Sequence, residues 1–226
     1  MCGRYALYGP RSRNKAETEY FSDLDRVGSS WNVAPTHIQP ITRVHDGQIE
    51  QTTARWGLIP HWAKDEKIGF KCINARAETV ATSPSFRGAY KLGRRCLVPA
   101  SGFFEWETRP DGKQPFYFTS AEGSLLAFAG LWDKWRKADG TELLSYTIIT
   151  TEPNDFVARF HDRMPVVLDE RDYGRWLDGS ETPQDLLKAC HNEALINFPV
   201  SRQVNSVRNN DASLVVPLVQ TSAQNA

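Results

Sequence analysis

An α+β fold dominated by antiparallel strands, with short helices at its periphery, is what this sequence predicts. Three observations carry that expectation. A block of β-prone segments occupies 95–99, 101–107, 114–119, 125–131 and 144–151. Asp111-Gly112 and Asp139-Gly140 fall between members of the block, where hairpins need residues that tolerate positive φ. Thirteen prolines and fifteen glycines are spread along the chain, and such frequent punctuation suits many short elements better than a helical bundle.

The remaining elements follow in order. Residues 11–27 carry apolar side chains at loose helical spacing and predict a surface helix. Residues 49–59 predict a strand ending in an aromatic edge. Ser83-Pro84 sets a capping residue before a proline at the first helical position, so a helix is expected over 84–92. Beyond the β block, helices are expected over 153–160 and 182–190, with an apolar strand at Val166, Val167 and Leu168 between them. From Gln220 onward the chain is polar and should fray. With 226 residues, no internal repeat and no linker, one domain over 1–226 is expected.

Composition narrows the function classes. Apolar residues at 40% and charged residues at 24% describe an ordinary soluble globular protein. Lys+Arg and Asp+Glu are both 27, so bulk charge gives nucleic-acid binding no support. Charge does segregate locally: Lys64, Lys67, Lys71, Arg76, Arg87, Lys91, Arg94 and Arg95 face only Asp65, Glu66 and Glu78 between 64 and 95. A solvated face explains that stretch as well as a binding surface does. No apolar run reaches bilayer length, and Met1-Cys2-Gly3-Arg4 lacks the layout of a targeting sequence. Cys2, Cys72, Cys96 and Cys190 show no C-x-x-C spacing, which suits a reducing cytoplasm with neither a disulfide framework nor a zinc site. Histidines and carboxylates do not group at metal-ligand spacing and no Gly-rich phosphate loop occurs, so neither a metal nor a cofactor is expected.

Five places carry candidate chemistry. Removal of Met1 would give Cys2 a free α-amine beside its thiol. An α-amine titrates near 7.7–8.0, so about a tenth is nucleophilic at neutral pH. It can condense with an aldehyde, and the thiol can then close a five-membered thiazolidine. A chance cysteine after the start codon is the competing reading. In Ile73-Asn74-Ala75-Arg76-Ala77-Glu78, an extended backbone puts Asn74, Arg76 and Glu78 on one face, fit for polar recognition or simply for solvent. In Phe103-Phe104-Glu105-Trp106 a lone carboxylate sits among aromatics, where burial would raise its pKa toward neutrality. An exposed edge strand is the alternative there. His161-Asp162-Arg163-Met164-Pro165 offers a histidine for proton transfer, although a single histidine is more often structural. Trp56 and Trp62 flank Gly57-Leu58-Ile59-Pro60-His61 beside the basic stretch; Trp56 is expected in the core and Trp62 at the surface, where a base can stack.

Taken in order, Met1-Cys2-Gly3-Arg4-Tyr5, Asn32-Val33-Ala34-Pro35, Trp56-Gly57-Leu58-Ile59-Pro60, Ile73 to Glu78, Gly102-Phe103-Phe104-Glu105-Trp106, His161 to Pro165 and Pro199-Val200-Ser201 resemble the SRAP family, the SOS-response-associated peptidase domain. The resemblance implies twisted, mostly antiparallel sheets closing toward a barrel-like core with flanking helices. It implies a protein that crosslinks to abasic sites in single-stranded DNA through a thiazolidine on Cys2, shielding the lesion, with lyase-type imine chemistry. By the same resemblance Cys2 is the nucleophile, Asn74 orients the linkage, Glu105 moves protons and His161 assists. Arg4, Arg76 and Arg163 contact phosphate or shape the site, and Trp62 stacks. Some members carry a second aromatic directly after the residue matching Trp62, where this chain has Ala63. Abasic single-stranded DNA is then the expected partner, with no membrane and a monomeric chain. Two other classes stay open: a peptidase or N-terminal-nucleophile hydrolase using Cys2, Asn74 and His161, and a module that binds modified DNA reversibly.

Overall fold

A computed structural model describes residues 2–9, 14–180 and 182–218. Met1, the first residues of the expected 11–27 helix and the tail from Gln220 lie outside the described residues.

Two sheets build the molecule. The first is a closed barrel. β3 (Ile38–His45) pairs antiparallel with β4 (Gln48–Trp56) and with β6 (Arg95–Ala100), which pairs with β9 (Leu126–Arg136). β10 (Glu142–Thr151) completes the ring, antiparallel to β9 and parallel to the end of β4. β5 (Asn74–Arg76) and β11 (Met164–Pro165) extend β10 past the rim. The expected barrel is therefore present, and its parallel contacts are confined to β10. From Ser145 to Thr151 β10 is buried on both faces, which explains its unbroken run of Thr, Ile and Tyr in place of alternation.

The second sheet runs β12 (Leu195–Pro199), β8 (Gly112–Ser120), β7 (Gly102–Arg109), β1 (Tyr5–Leu7) and β2 (Ser30–Val33), antiparallel throughout. It packs on the barrel through one apolar core holding Tyr5, Trp56, Phe103, Phe118, Phe128 and Tyr146. Tyr5 sits edge-on to Trp56 at 5.2 Å and to Phe128 at 6.2 Å. Its hydroxyl meets that of Tyr146 at 2.7 Å, so the polar ends of two buried rings satisfy each other. A smaller core under Phe104, Tyr117, Val200 and Leu214 closes the far face of this sheet.

Every segment of the predicted β block is a strand. The Asp111-Gly112 hairpin is present one residue earlier than read: Arg109 pairs with Gly112, so Pro110 and Asp111 form the loop and Gly112, at φ +115°, opens β8. Asp139-Gly140 lies in the loop joining β9 to β10, with Gly140 at φ +85°. A third such pair, Asp46-Gly47, makes the two-residue β3–β4 turn with both residues at positive φ, and reading it would have located β3.

The helices are shorter than expected. The 11–27 pattern resolves into α1 (Lys15–Tyr20), capped by the Asn14 side chain, and a 3-10 turn over Ser22–Arg26. Ser83 starts a turn, accepting at its carbonyl from Phe86 and Arg87, but α2 begins only at Arg87 and ends at Lys91. α3 (Asp155–Ala158), capped by Asn154, stands within the expected 153–160, and α4 is Tyr173–Leu177. The 182–190 helix is a correction: only a 3-10 turn over Gln184–Leu186 forms there. Short turn bonds (Leu186 N to Pro183 O, Leu187 N to Gln184 O) and a bond from Asn154 Nδ2 to the Cys190 carbonyl use the backbone groups a helix would need. The 49–59 strand also stops at Trp56, because Gly57 turns at φ +113° and donates its N–H to the Tyr146 carbonyl. Val166–Leu168 follow β11 and are held by single backbone bonds to the barrel.

Candidate functional site

β1 brings Cys2 to the seam between the two sheets. Tyr5 lies opposite Phe103 and Ala6 opposite Gly102, a register that runs the start of the chain along β7 toward Glu105. The Phe104 N–H donates to the Arg4 carbonyl at 3.0 Å, holding that approach. Cys2 is fully buried and belongs to the main core. Burial first, and the neighbouring Glu105 carboxyl second, push its thiol far above the ordinary range, against the backbone N–H of Arg4 that favours the thiolate. The thiol is thus held protonated.

Glu105 continues the inward face of β7 from Phe103 and is 3% exposed. Burial pushes its carboxyl up to about 8, with Asp162 adding to the rise and Lys113 opposing it. Its Oε1 is buried with no hydrogen-bond partner among the described residues. A carboxyl kept neutral at pH 7 is a proton donor waiting for an acceptor.

Glu105 opens onto a cleft of about 410 Å³ that is also lined by Arg4, Trp106, Lys113, His161 and Asn205. His161 reaches it from the loop after α3, where Phe160 packs on Phe116 at 4.8 Å and Phe118 at 5.1 Å. Two groups compete for His161 Nδ1: the Arg163 backbone N–H at 3.0 Å and the Asp162 carboxylate at 2.8 Å. Burial, joined by Lys113 and Arg163, lowers the imidazole pKa despite Asp162, whose side chain is largely in water. Burial therefore favours the neutral imidazole.

The other expected site residues divide. Arg4 lines the cleft but is engaged, with Nη1 donating to Asn32 Oδ1 at 2.5 Å and to the Val204 carbonyl at 2.8 Å. Arg163 is clamped by Glu78, bidentate at 2.8 and 2.9 Å, and by the Thr150 carbonyl at 2.7 Å, and it is not part of the cleft lining. Asn74 and Arg76 lie on β5, alternating as expected around a buried Ala75. Asn74 Nδ2 donates to the Ile73 carbonyl while its Oδ1 is buried without a partner among the described residues, and Arg76 is exposed. Trp56 is in the core and Trp62 is 52% exposed, both as expected. Trp62 is not part of the cleft lining; its loop is pinned by His61 N donating to Asp133 Oδ2 at 3.0 Å and Trp135 Nε1 to the Ala63 carbonyl at 2.7 Å.

Four residues escaped the sequence reading. Lys113 gave no signal beyond its place after a turn, and Trp106 was noted only as a neighbour of Glu105. Asn205 lines the cleft from nearly a hundred residues away and accepts from Trp106 Nε1 at 2.7 Å. Asn32 binds Arg4 and donates to the carbonyls of Val204, Ser206 and Asn209, strapping the C-terminal segment over the site. Asn32 opens one of the recognised motifs, and that was the available clue.

Among the described residues no helix is long and apolar enough to cross a membrane. Comparison with known proteins adds a family to this geometry. Residues 1–207 match the family described as SOS response associated peptidase (SRAP). The chain is 40% identical to the abasic site processing protein YoqW of Bacillus subtilis, over 95% of this chain and 99% of that one. It is 32% identical to the abasic site processing protein HMCES of Gallus gallus, over 96% of this chain and 78% of that one. A crystal structure of a protein from Bacteroides thetaiotaomicron superposes with a TM-score of 0.85 at 26% identity, covering 96% of this chain and all of that one. The chain belongs to the SRAP family.

Proposed function

We propose that this protein processes abasic sites by capturing them covalently in single-stranded DNA through Cys2, once Met1 is removed. The observation that carries the reading is the buried, protonated Glu105, which lines an open cleft on one side and acts electrostatically on the fully buried Cys2 thiol on the other.

The chemistry follows from the protonation states. The thiol is the weaker nucleophile here because burial keeps it protonated, so the α-amine attacks the C1′ aldehyde of the ring-opened sugar first. Glu105 donates a proton to the departing hydroxyl, water leaves, and an imine forms. The sulfur then adds to the carbon of the protonated imine, and the thiol proton passes to the Glu105 carboxylate, restoring its acid form. Aldehyde and aminothiol have become thiazolidine plus one water. His161 assists proton movement in the same cleft, and Asn74, with an unused buried Oδ1, orients the linkage. Arg4 holds the cleft wall, Arg163 ties Glu78 to the Thr150 carbonyl, Arg76 meets phosphate, and Trp62 stacks on a base beside the lesion, a contact of about 1–3 kcal/mol.

A cysteine peptidase requires a thiolate. The direction of the Cys2 shift weighs against that use of the site.

The test is a denaturing gel of methionine-processed protein with an oligonucleotide bearing one abasic site, beside an intact oligonucleotide and the Cys2→Ala variant. A heat-stable band that needs both the lesion and Cys2 is expected. Its absence from protein with a confirmed free Cys2 amine would overturn covalent capture.

A further inference from the structure

Away from the site, α2 carries Arg87 and Lys91 four residues apart, so both project from one exposed face. With Tyr90, Thr182 and Gln184 they line a cleft of about 530 Å³. Arg94, Arg163, Arg175 and Arg202 are each engaged by a carboxylate, whereas Arg87 and Lys91 have no such partner among the described residues. Tyr90 is 3% exposed, and its hydroxyl oxygen is buried with no hydrogen-bond partner among those residues. Leaving a buried hydroxyl unpaired costs about 1–3 kcal/mol, which a ligand accepting its proton would recover. Arg95 lies over the Tyr90 ring at 5.5 Å and holds it in place. Two unpaired cations and a neutral O–H donor form an acceptor-binding set that fits phosphate oxygens.

The cleft also adjoins the Trp62 loop. A Cβ placed on Gly88 of α2 would stand 3.7 Å from His61 Cε1, and His61 immediately precedes Trp62. A strand whose base stacks on Trp62 therefore has α2 as its neighbouring surface.

We infer that the α2 cleft is a second DNA subsite, in which Arg87, Lys91 and the Tyr90 hydroxyl hold a backbone phosphate of the strand beyond Trp62. The inference rests on the DNA-capturing reading above and concerns affinity, not the bond-forming step.

The test uses the full chain and a single-stranded oligonucleotide without any abasic site, so that reversible binding is read alone across a salt series. Each single-strand phosphate contact contributes about 0.7 to the slope of log K against log salt. Arg87→Gln with Lys91→Gln, which together release that one phosphate, is expected to flatten that slope by about 0.7. Tyr90→Phe, which removes a neutral donor, is expected to weaken binding roughly tenfold at unchanged slope. Both variants should crosslink saturating abasic DNA at the wild-type rate. An unchanged slope in the double variant overturns the subsite, and so does a slower crosslinking rate at saturation. Inorganic phosphate is run in parallel; if only its binding depends on the cleft, the site takes small anions and the DNA path is wrong. Failure of wild-type crosslinking would remove the covalent reading while the slope comparison still decides the subsite.

Discussion

Glu105 is where the chemistry and the stability of this protein meet. Its proton is held in the folded state up to about 8, while in the unfolded chain it leaves near 4.3. Below 4.3 both states carry the proton; between the two values only the folded state does, so stability falls as pH rises, by up to ~1.4 kcal/mol per pH unit. Above 8 both have lost it and the slope vanishes. Glu105→Gln removes this term, so its stability advantage over wild type should grow from pH 5 to pH 8 and then level off, as denaturant titration at several pH values would read. An advantage that does not change with pH would mean that the carboxyl ionises normally. In capture, the wild-type rate should rise as the α-amine deprotonates and fall as Glu105 ionises, giving a maximum near 8. Glu105→Gln should be slower by about 10²–10⁴-fold and lose the falling limb. Much of this was legible early. A single carboxylate among Phe103, Phe104 and Trp106 marked a group whose pKa would rise on burial, with an exposed edge strand as the alternative, and the fold decides for burial. What stayed hidden were Lys113 and Asn205, since residues far apart in sequence announce nothing until the sheet and the C-terminal segment are folded.

Short elements with unusual turns aim these side chains. Gly57, at φ +113°, ends β4 and lies so close to Gly69 that a Cβ would meet its carbonyl oxygen at 2.6 Å. This contact presses the segment leading to Trp62 onto the segment leading to Asn74. Gly57→Ala should cost about 1–3 kcal/mol and lower crosslinking yield through misplacement of both segments. Thermal melting checks the first effect, and a wild-type melting temperature would show the contact to be soft. Arg163 plays the matching part on the other side of β10, tying Glu78 to the Thr150 carbonyl. Arg163→Lys loses the two-pronged clamp and should cost about 1–2 kcal/mol in chemical denaturation, a modest figure because water reaches Glu78. A loss of the same size in Glu78→Gln would locate the cost in this pair, while a neutral Arg163→Lys would remove it. At this scale the strands were readable because hydrophobic runs bounded by glycine and aspartate mark them. The helix over 182–190 was not: its apolar residues, Leu186, Leu187, Ala189 and Cys190, match a helical face, yet backbone bonds to nearby turns and to Asn154 claim the same groups.

Across the whole molecule, a closed barrel and a second antiparallel sheet share one core, and Cys2 enters where they meet. No local sequence pattern announces that closure, which depends on β10 pairing with β4 on one side and β9 on the other, contacts remote in sequence. The net charge of zero likewise says little about partners, because it hides local differences such as Arg87 and Lys91 on α2, which have no carboxylate partner among the described residues. The proposed aldehyde capture fits this arrangement: the surroundings disfavour a Cys2 thiolate, keep Glu105 a proton donor, and open Glu105 onto a cleft. The measurement closest to this claim is the intact mass of the complex formed with abasic single-stranded DNA, taken before and after borohydride and iodoacetamide. A thiazolidine predicts processed protein plus DNA minus one water, with no hydride uptake and with the Cys2 thiol closed to alkylation. An adduct that takes up hydride and leaves Cys2 open to alkylation would be an imine alone, and would contradict the account.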